Sequence, residues 1–249
     1  RVSASSMSTL GSTVQVYVSG TTFSSDFPTT SGVLHPNCTS AACTNNGDGF
    51  VAKFDVNLNL LFSTYLSGNG LTNAGQLQVD TTGDVYVIGQ ASSAYPATPN
   101  AAQPSCPGSA CGFVTELDSA GKTQLYFTFI GGSEADNATG LALDASNNAY
   151  VVGHTTSLDF PGQSTLLPST ISGGVFSTSD QVNWTARSSG LSSLNIHTVV
   201  FNPTSPTTLL AGTGVGISRS TNGGTSWTSV QSQINVVSIA FDPANSQNV

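Results

Sequence analysis

An internal repeat restricts the fold of this chain more than any other feature of its sequence. The run Val16–Gly20, which reads Val-Tyr-Val-Ser-Gly, returns as Val85–Gly89 and again as Ala149–Gly153, each time with a Tyr-Val-x-Gly pattern. A second segment keeps step with it, since Gly49–Asp55 and Gly112–Asp118 both begin with Gly-Phe-Val and end with Asp. A long period of this kind indicates a series of similar supersecondary units.

Each repeat unit contains four short apolar runs. Val, Ile, Phe, Tyr and Thr recur in these runs, and such residues favour strands. The segments Asp80–Asp84 and Asp144–Asn148 hold Gly, Asn and Asp, which favour tight turns. Four strands per unit are typical of one blade of a β-propeller. We therefore predict an all-β fold, a β-propeller of four-stranded antiparallel blades, with about four blades in this chain.

The style of the repeat changes after Pro161. A shorter unit with a tryptophan takes over, first as Gly174–Trp184 and then as Gly216–Trp227. The last apolar run, Val236–Phe241, is predicted to be a strand and ends where a fifth unit would begin. The expected domains are an N-terminal extension of residues 1–13 and a propeller of residues 14–249, with blades at 14–80, 85–144, 149–202 and 208–242.

The charge of the chain argues against two classes of partner. Only 7% of its residues are charged, and the formal net charge is -8. Nucleic acids and anionic membranes attract basic surfaces, so we expect no nucleic-acid partner and no membrane insertion. The sequence has no long apolar run of the kind that spans a bilayer, and residues 1–6 lack the apolar core of a signal peptide. We expect a soluble chain whose export signal has been removed.

Four cysteines form two pairs with one spacing. Cys38 and Cys43 are separated as Cys106 and Cys111 are, and Gly-Phe-Val follows each pair. We predict a local disulfide within each pair. A metal site is the alternative, although zinc sites built from four cysteines usually have about two residues between paired ligands. Disulfides indicate an oxidising compartment, so we expect a secreted, extracellular or cell-surface protein.

The first part of the chain resembles a known repeat family. Residues 14–161 combine the Tyr-Val-x-Gly runs with Thr21–Pro28, echoed by His154–Pro161, and with Phe62–Gly68. In these motifs the chain resembles the SBBP-type β-propeller repeats of bacteria. The middle repeat departs from the pattern, because Ala94–Pro96 reads Ala-Tyr-Pro in place of Asp-Phe-Pro. The resemblance implies a cell-surface or secreted propeller, and the family shares no known catalytic residues.

The last part of the chain resembles a second family. Residues 173–249 contain Ser177–Trp184 and Ser220–Trp227, which approximate the pattern Ser-x-Asp-x-Gly-x-x-Trp. They look like degenerate Asp-box repeats of sialidase-like and sortilin-like propellers. The first copy lacks glycine, and Asn222 replaces the aspartate of the second. The resemblance implies a structural hairpin turn away from any active site.

Residues suited to hydrolysis are scarce. Resemblance to sialidases implies that catalysis would need three arginines, a tyrosine nucleophile paired with a glutamate, and an aspartate that acts as the acid. The arginines and glutamates of this chain are Arg1, Arg187, Arg219, Glu116 and Glu134. A hydrolase triad needs a histidine beside a nucleophile, but the histidines fall at unrelated places of the repeat: His35, His154 and His197. We predict no catalytic residue and no enzyme.

No cofactor and no metal site are predicted. The acidic turn Asp80–Asp84 would bind Ca²⁺ if its oxygens converged, but its spacing matches no dedicated calcium loop, so a structural turn is the preferred interpretation. Three segments fit the N-glycosylation sequon. The candidate glycosylation sites are Asn37, Asn137 and Asn183.

These features together predict a non-enzymatic extracellular or cell-surface β-propeller that acts as a structural or adhesive scaffold. Unpaired strand edges at the two ends of the chain predict self-association, including a head-to-tail filament. The expected partners are further copies of the chain, or a surface glycan or protein. One alternative is a lectin-like or peptide-binding propeller, and a more remote alternative is a sialidase-like glycosidase.

Overall fold

The structure is a computed structural model, and it describes residues 2–10, 13–38, 47–68, 70, 72–161, 172–179 and 183–242. Among these residues no helix is long and apolar enough to cross a membrane. The strands are β1 (Val2–Leu10), β2 (Thr13–Thr22), β3 (Asp48–Asp55), β4 (Leu60–Leu66), β5 (Thr72–Val79), β6 (Val85–Ser92), β7 (Ala110–Leu117), β8 (Gln124–Ile130), β9 (Asp136–Leu143), β10 (Ala149–Thr155), β11 (Ser172–Thr178), β12 (Thr185–Ala186), β13 (Ile196–Asn202), β14 (Ser205–Thr213), β15 (Gly216–Ser220) and β16 (Thr228–Ser232).

The strands form antiparallel sheets of four strands each. Sheet 1 is β1–β4, sheet 2 is β5–β8, sheet 3 is β9–β12 and sheet 4 is β13–β16, and within each sheet the strands lie side by side in chain order. The first strands of successive sheets contact one another, β1 with β5, β5 with β9 and β9 with β13. The sheets are therefore blades arranged around their first strands, and the predicted all-β propeller fold is confirmed.

The sheets begin one strand earlier than the predicted blades. The sequence predicts β5 as the last strand of a blade, but β5 pairs with β6 and opens sheet 2. The tight turn Asp80–Asp84 explains this pairing, because a short turn joins neighbouring antiparallel strands. The predicted boundaries at 14–80, 85–144, 149–202 and 208–242 are therefore offset by one strand. Residues 2–10 of the predicted N-terminal extension form β1, which pairs with β2.

The segment 236–241, predicted to be a strand, has no strand assignment, yet it lies on sheet 4 as a first strand would. Val236 N donates to Thr213 O at 3.0 Å, and Val236 O contacts His197 Nδ1 at 3.1 Å. A similar bond joins sheets 1 and 2, where Ser19 Oγ donates to Gly75 O at 2.6 Å. The segment thus packs on sheet 4 in the manner of the first strands at the earlier junctions.

An apolar core fills each junction between neighbouring sheets. Tyr17 is buried in the core between sheets 1 and 2. Tyr86 and Tyr150 are buried in the cores of the next two junctions. Because side chains alternate between the faces of a strand, all three tyrosines point toward the following sheet. The Tyr-Val-x-Gly motif therefore marks matching places in three successive sheets.

The glycine of that motif meets a bulge in the preceding strand. The register of β5 against β6 shifts between Ala74 and Leu77, and that of β9 against β10 shifts at Gly153. A Cβ atom at Gly89 would lie 1.9 Å from Asn73 O, and one at Gly153 would lie 2.2 Å from the corresponding carbonyl oxygen of Asn137. Only glycine fits beside the bulge, which explains the fixed end of the motif.

Aromatic rings anchor the long loops that follow β2, β6 and β10. The rings of Phe27 and Phe50 lie 4.5 Å apart between centroids, and those of Phe160 and Phe176 lie 5.1 Å apart. In the middle repeat Tyr95 stacks at 4.2 Å on a phenylalanine of β8. The aromatic residue before proline is therefore an anchor in each repeat, and the Ala-Tyr-Pro variant keeps that function.

These anchored loops cover the outer edges of sheets 1 and 2. In sheet 2, Thr98 N donates to Phe127 O at 3.3 Å and Phe129 N donates to Gln103 O at 3.1 Å. In sheet 1, residues 30 and 35 make equivalent backbone bonds with β4. Covered edges offer no backbone groups to another chain. The loops thus cover the edges of β4 and β8, which are not the two chain-end edges on which the predicted self-association depends.

Candidate functional site

Chain direction gives the sheets a turn end and a loop end. The turn end holds the short connections 56–59, 80–84, 118–123 and 144–148, and the loop end holds the long connections 23–47 and 93–109. Buried polar groups converge at both ends. The buried polar side chains described below therefore lie at the two ends of the sheets.

One hydrogen-bond design recurs in four turns of the turn end. The first residue is an aspartate whose carboxylate accepts backbone N–H bonds, as when Asp80 Oδ1 accepts from Thr82 N at 2.8 Å and from Asp84 N at 2.9 Å. The other three aspartates are Asp55, Asp118 and Asp144. The left-handed residue of each turn is Leu58 (φ 62°), Gly83 (φ 92°), Gly121 (φ 67°) or Asn147 (φ 62°). This backbone suits glycine and asparagine but strains leucine.

Three carboxylates converge on sheet 2. One oxygen each from Asp80, Asp84 and Glu116 lies within 4.8 Å of the others. Asp80 and Glu116 are both 8% exposed. The sequence pattern singles out the turn Asp80–Asp84 but not Glu116, because Glu116 lies on a strand that is remote in sequence. Carboxylate oxygens at this spacing form an acceptor set for a cation.

Hydrogen-bond donors from sheet 3 and from sheet 2 itself already contact this acidic cluster. Asn147 Nδ2 of sheet 3 donates to Asp80 Oδ2 at 3.0 Å, and Ser119 N donates to Asp84 Oδ1 at 2.8 Å. Lys53 of sheet 1 places its ammonium group beside them, where Nζ donates to Ser119 O at 3.2 Å. Burial lowers the pKa of Lys53. The cluster therefore joins three sheets through hydrogen bonds and one nearby cation.

Tyr17 lies against the same junction and is a poor nucleophile. Burial, followed by the charges of Asp80 and Asp84, raises the pKa of Tyr17 to about 12. Its hydroxyl donates to Gln15 Oε1 at 3.0 Å, and Lys53 Nζ lies 5.1 Å from its ring centroid. The phenol is therefore neutral at physiological pH and stabilises the junction by packing and by a cation–π contact.

Asp136 organises the loop end between sheets 2 and 3. This carboxylate is 1% exposed and accepts bonds from Thr155 Oγ1, from Ser157 Oγ at 3.1 Å and from Gly132 N at 2.7 Å. Burial raises the pKa of Asp136, and these donors oppose that shift. Asp136 is not recognisable from the sequence, because an aspartate at the start of a strand carries no motif of its own.

A small cavity lies beside Asp136 and is lined by apolar side chains that include Ile130, Val151, Phe160 and Phe176. Its volume is ≈ 20 Å³. A buried water molecule needs a cavity of about that size. The cavity therefore accommodates a water molecule and not a sugar ring.

Asp48 is a second buried carboxyl group at the loop end, at the start of β3. It is 0% exposed, and Ser67 Oγ donates to its Oδ2 at 2.9 Å. Burial raises the pKa of Asp48 from 3.8 to about 6, although the bond from Ser67 acts in the opposite direction. Compared with the unfolded chain, the folded chain therefore favours the protonated form of Asp48.

Stability is expected to depend on pH through Asp48. Because its pKa is higher in the folded chain, its contribution to the free energy of unfolding is full below about pH 4 and is lost as the pH rises to about 6. Asp48→Asn should flatten the fall in melting temperature between these pH values, measured by thermal unfolding. The raised pKa of Asp136 acts in the same direction, so the slope is reduced and not abolished. An unchanged slope would contradict the assignment.

The histidines lie on different sheets. His35 N donates to Thr64 Oγ1 at 3.0 Å beside sheet 1, and burial lowers the pKa of His35. His154 is exposed on β10, and His197 contacts the segment after sheet 4. The structure does not bring these three side chains together.

The arginines and glutamates are also dispersed. Arg187 Nε donates to Ser177 Oγ at 3.1 Å, and its Nη1 donates to Thr225 Oγ1 at 3.2 Å. Arg219 is exposed on β15, and Glu134 is exposed in the connection before β9. Arg1 lies outside the described residues. The guanidinium group of Arg187 is thus used between sheets 3 and 4.

The turn at Ser220–Trp227 is held by its own side chains. Asn222 Oδ1 accepts from Ser226 N at 2.9 Å, and Gly224 N donates to Ser220 Oγ at 2.9 Å. Trp227 is buried, and its Nε1 donates to the carbonyl oxygen of Arg187 at 2.6 Å. The side chain of Asn222 therefore accepts a backbone bond within its own turn. In the other predicted copy, residues 180–182 lie outside the described residues.

A disulfide joins Cys106 to Cys111 at the loop end of sheet 2. Cys38 is also disulfide-bonded. Its predicted partner, Cys43, lies outside the described residues. Of the candidate glycosylation sites, Asn37 and Asn183 are exposed, whereas Asn137 is half-buried on β9.

The hairpin between β3 and β4 exposes several apolar side chains to water. Val56 is 66% exposed, Leu58 70%, Leu60 37% and Leu61 46%. The corresponding hairpin of sheet 2 reads Ser-Ala-Gly-Lys at residues 119–122. Turn residues are usually polar, so an apolar tip is a candidate interaction surface. The signal was present in the sequence as Val-Asn-Leu-Asn-Leu-Leu.

Solved structures with a similar fold include a Hadza microbial sialidase, with a TM-score of 0.52 and 12% identity over 94% of this chain and 47% of that one. A WD40 domain from Neurospora crassa matches with a TM-score of 0.48 and 13% identity over 93% and 54% of the two chains. A gluconolactonase from Xanthomonas campestris matches with a TM-score of 0.43 and 15% identity over 78% and 59%. This chain thus spans about half the length of these proteins.

The prediction that the chain is not an enzyme is wrong, because it excluded catalysis for a fold that enzymes also have. The sialidase shares its fold, so a propeller of this kind is compatible with catalysis. The scarcity of the arginines and glutamates that a sialidase needs bears on that one reaction, whereas a fold supports many reactions. A likeness at 12% identity shows the fold alone, and no activity is transferred by it.

The sequence comparison concerns the repeat. No curated protein matches the chain. Residues 125–161 match the family described as SBBP, a beta-propeller repeat. That segment contains β8, β9, β10 and the Asp-Phe-Pro anchor. This part of the predicted resemblance is therefore confirmed.

Proposed function

We propose that this protein is an extracellular or cell-surface scaffold that associates with further copies of itself through the face of sheet 1 that points away from sheet 2. The observation that carries the proposal is the apolar character of sheet 1 on the side away from sheet 2. Val16 pairs with Phe54 on that side. Leu61 is 46% exposed there. Among the described residues, no strand packs on this face.

Packing of sheet on sheet is the rule within the chain. Each of the three described junctions buries an apolar core between two sheets. On the outer face of sheet 1, Ala52 and Tyr65 are already buried, and Val16 and Phe54 are half-buried. Covering the apolar area that remains exposed, as at Leu61, would stabilise a contact by roughly 25 cal/mol for each Å². Packing through a sheet face uses side chains and needs no free backbone groups, and the loops already cover the edges of β4 and β8.

Two further properties support an extracellular scaffold. The disulfide Cys106–Cys111 suits an oxidising compartment. The low content of charged residues, 7%, leaves few groups that would keep sheet faces apart.

Assembly should be visible in solution. Sedimentation velocity of the 249-residue chain over a wide concentration range is expected to show species larger than a monomer, growing with concentration. Because each copy carries a net charge of -8, added salt should screen the repulsion and strengthen assembly. A single monomeric species at every concentration and salt level would refute self-association.

A further inference from the structure

The turn between β15 and β16 contains an Asn-Gly pair. Asn222 is exposed, and the Gly223 that follows it has a φ of 67°. In an unfolded chain an asparagine in this position loses its amide readily, since glycine has no side chain to hinder the approach of its backbone nitrogen. Two further Asn-Gly pairs, at Asn46 and Asn69, fall on asparagines outside the described residues.

Deamidation at this pair needs no reactant other than water. The backbone nitrogen of Gly223 attacks Cγ of Asn222. A bond forms between these two atoms, the bond from Cγ to the side-chain nitrogen breaks, and that nitrogen leaves as ammonia with the proton of the attacking nitrogen. Water then opens the cyclic imide at either carbonyl carbon, which gives aspartate or isoaspartate. The first step therefore requires a backbone nitrogen that can lose its proton and a side chain that can turn toward it.

The folded turn opposes both requirements. Gly223 N donates to Thr207 O of β14 at 2.9 Å, so its proton is engaged. The side chain of Asn222 is held at both of its polar atoms. Its Nδ2 donates to Ser226 Oγ at 2.8 Å, and its Oδ1 accepts from Ser220 Oγ at 2.9 Å. A group held in this way reacts when the turn opens, and the rate then follows the population of the open state.

We propose that Asn222 is a site of spontaneous deamidation that the folded turn protects, so that its conversion reports opening of the hairpin between β15 and β16. The site depends on contacts within sheet 4 and with sheet 3, and it is independent of self-association. Both the motif and the bonds that protect it lie on described residues of a single turn.

The two products affect the junction between sheets 3 and 4 differently. Aspartate keeps an oxygen for the N–H of Ser226, which Asn222 Oδ1 accepts at 2.9 Å. Isoaspartate adds a carbon atom to the backbone of the turn that leads to Trp227. The Nε1 of Trp227 donates to Arg187 O at 2.6 Å, beside sheet 3. We therefore expect aspartate to preserve this junction and isoaspartate to loosen it.

Mass spectrometry of the 249-residue chain, incubated in mildly alkaline buffer with and without unfolding guanidinium chloride, measures the reaction. Trypsin cuts after Arg219 and releases residues 220–249, in which Asn222 is the asparagine that precedes glycine. In guanidinium, Asn222 should deamidate at a rate similar to Asn46 and Asn69. In the folded chain its rate should be about tenfold lower or less. Absence of conversion at Asn222 in guanidinium, while the other two convert, would overturn the site, and equal rates in the two conditions would overturn the protection.

A pair of serine variants tests whether the side-chain bonds protect the amide. Ser226→Ala removes the acceptor of Asn222 Nδ2 and should raise the rate in the folded chain about threefold or more, without changing the rate in guanidinium. Ser229→Ala is the matched control, because Ser229 is exposed on β16 outside the turn. It should leave both rates unchanged. Equal effects of the two variants would overturn protection by the turn.

Two substitutions of Asn222 itself test the effect of the product. Asn222→Asp has the side chain of the direct product and should keep the melting temperature within about 1 °C of the original chain, whereas Asn222→Ala should lower it by about 3 °C. An aspartate variant as unstable as the alanine variant would contradict the expected compatibility of aspartate with the turn.

Discussion

Replacing Asp136 by alanine is expected to lower the free energy of unfolding by about 3 kcal/mol or more. The carboxylate accepts bonds from Thr155 Oγ1, Ser157 Oγ and Gly132 N, and it is 1% exposed. Without it, these buried donors would lose their acceptor, and each unpaired buried donor costs about 1–3 kcal/mol. Urea unfolding monitored by circular dichroism measures the change.

Two variants make that result specific to Asp136. Asp136→Asn retains one carbonyl oxygen as an acceptor and should lose about half as much stability as the alanine variant. Asp26→Asn changes an exposed carboxylate and should stay within about 0.5 kcal/mol of the original chain. A loss below about 1 kcal/mol for Asp136→Ala would show that the loops do not depend on this carboxylate.

Replacing Gly89 by alanine is expected to cost about 3 kcal/mol, because the new methyl group would overlap the backbone of β5. Its Cβ would lie 1.9 Å from Asn73 O, an atom that cannot move without breaking the ladder between β5 and β6. Gly153→Ala should behave in the same way, since the equivalent distance to Asn137 O is 2.2 Å. Thermal and urea unfolding report both changes.

A glycine outside the motif provides the comparison. A Cβ at Gly214 would meet the flexible end of Asn195, with Nδ2 at 3.1 Å, and no backbone atom within 4 Å. Gly214→Ala should therefore change stability by less than about 1 kcal/mol. If Gly89→Ala were tolerated equally well, the motif would not mark a bulge.

The sequence predicts the repeat and the fold because the same motifs recur in successive units. Tyr17, Tyr86 and Tyr150 recur with similar neighbours in the sequence. Each is buried in a junction between sheets, so the same structural requirement appears as a regular sequence pattern. The starting strand of each sheet was misplaced, since a repeat in sequence has no intrinsic origin. Pairing through the turn Asp80–Asp84 sets that origin, and turn geometry is a property of the folded chain.

The buried polar sites were harder to predict for a different reason. Asp136 and Glu116 sit within strands and carry no motif, and their partners come from other connections or sheets. Leu58 shows the opposite case. The sequence shows an apolar residue in an otherwise polar turn. That this leucine has a left-handed backbone and is 70% exposed is visible only in three dimensions.

The central claim is that equivalent residues of successive repeats occupy equivalent places at the junctions between sheets. A Cβ at Gly49 would lie 3.1 Å from the Ala74 methyl carbon, and one at Gly112 would lie 3.6 Å from the Ala138 methyl carbon. Nuclear Overhauser spectra should therefore show contacts between the α-protons of Gly49 and the Ala74 methyl group, and between those of Gly112 and the Ala138 methyl group. Observation of one contact without the other, or of neither, would contradict the equivalence of the repeats.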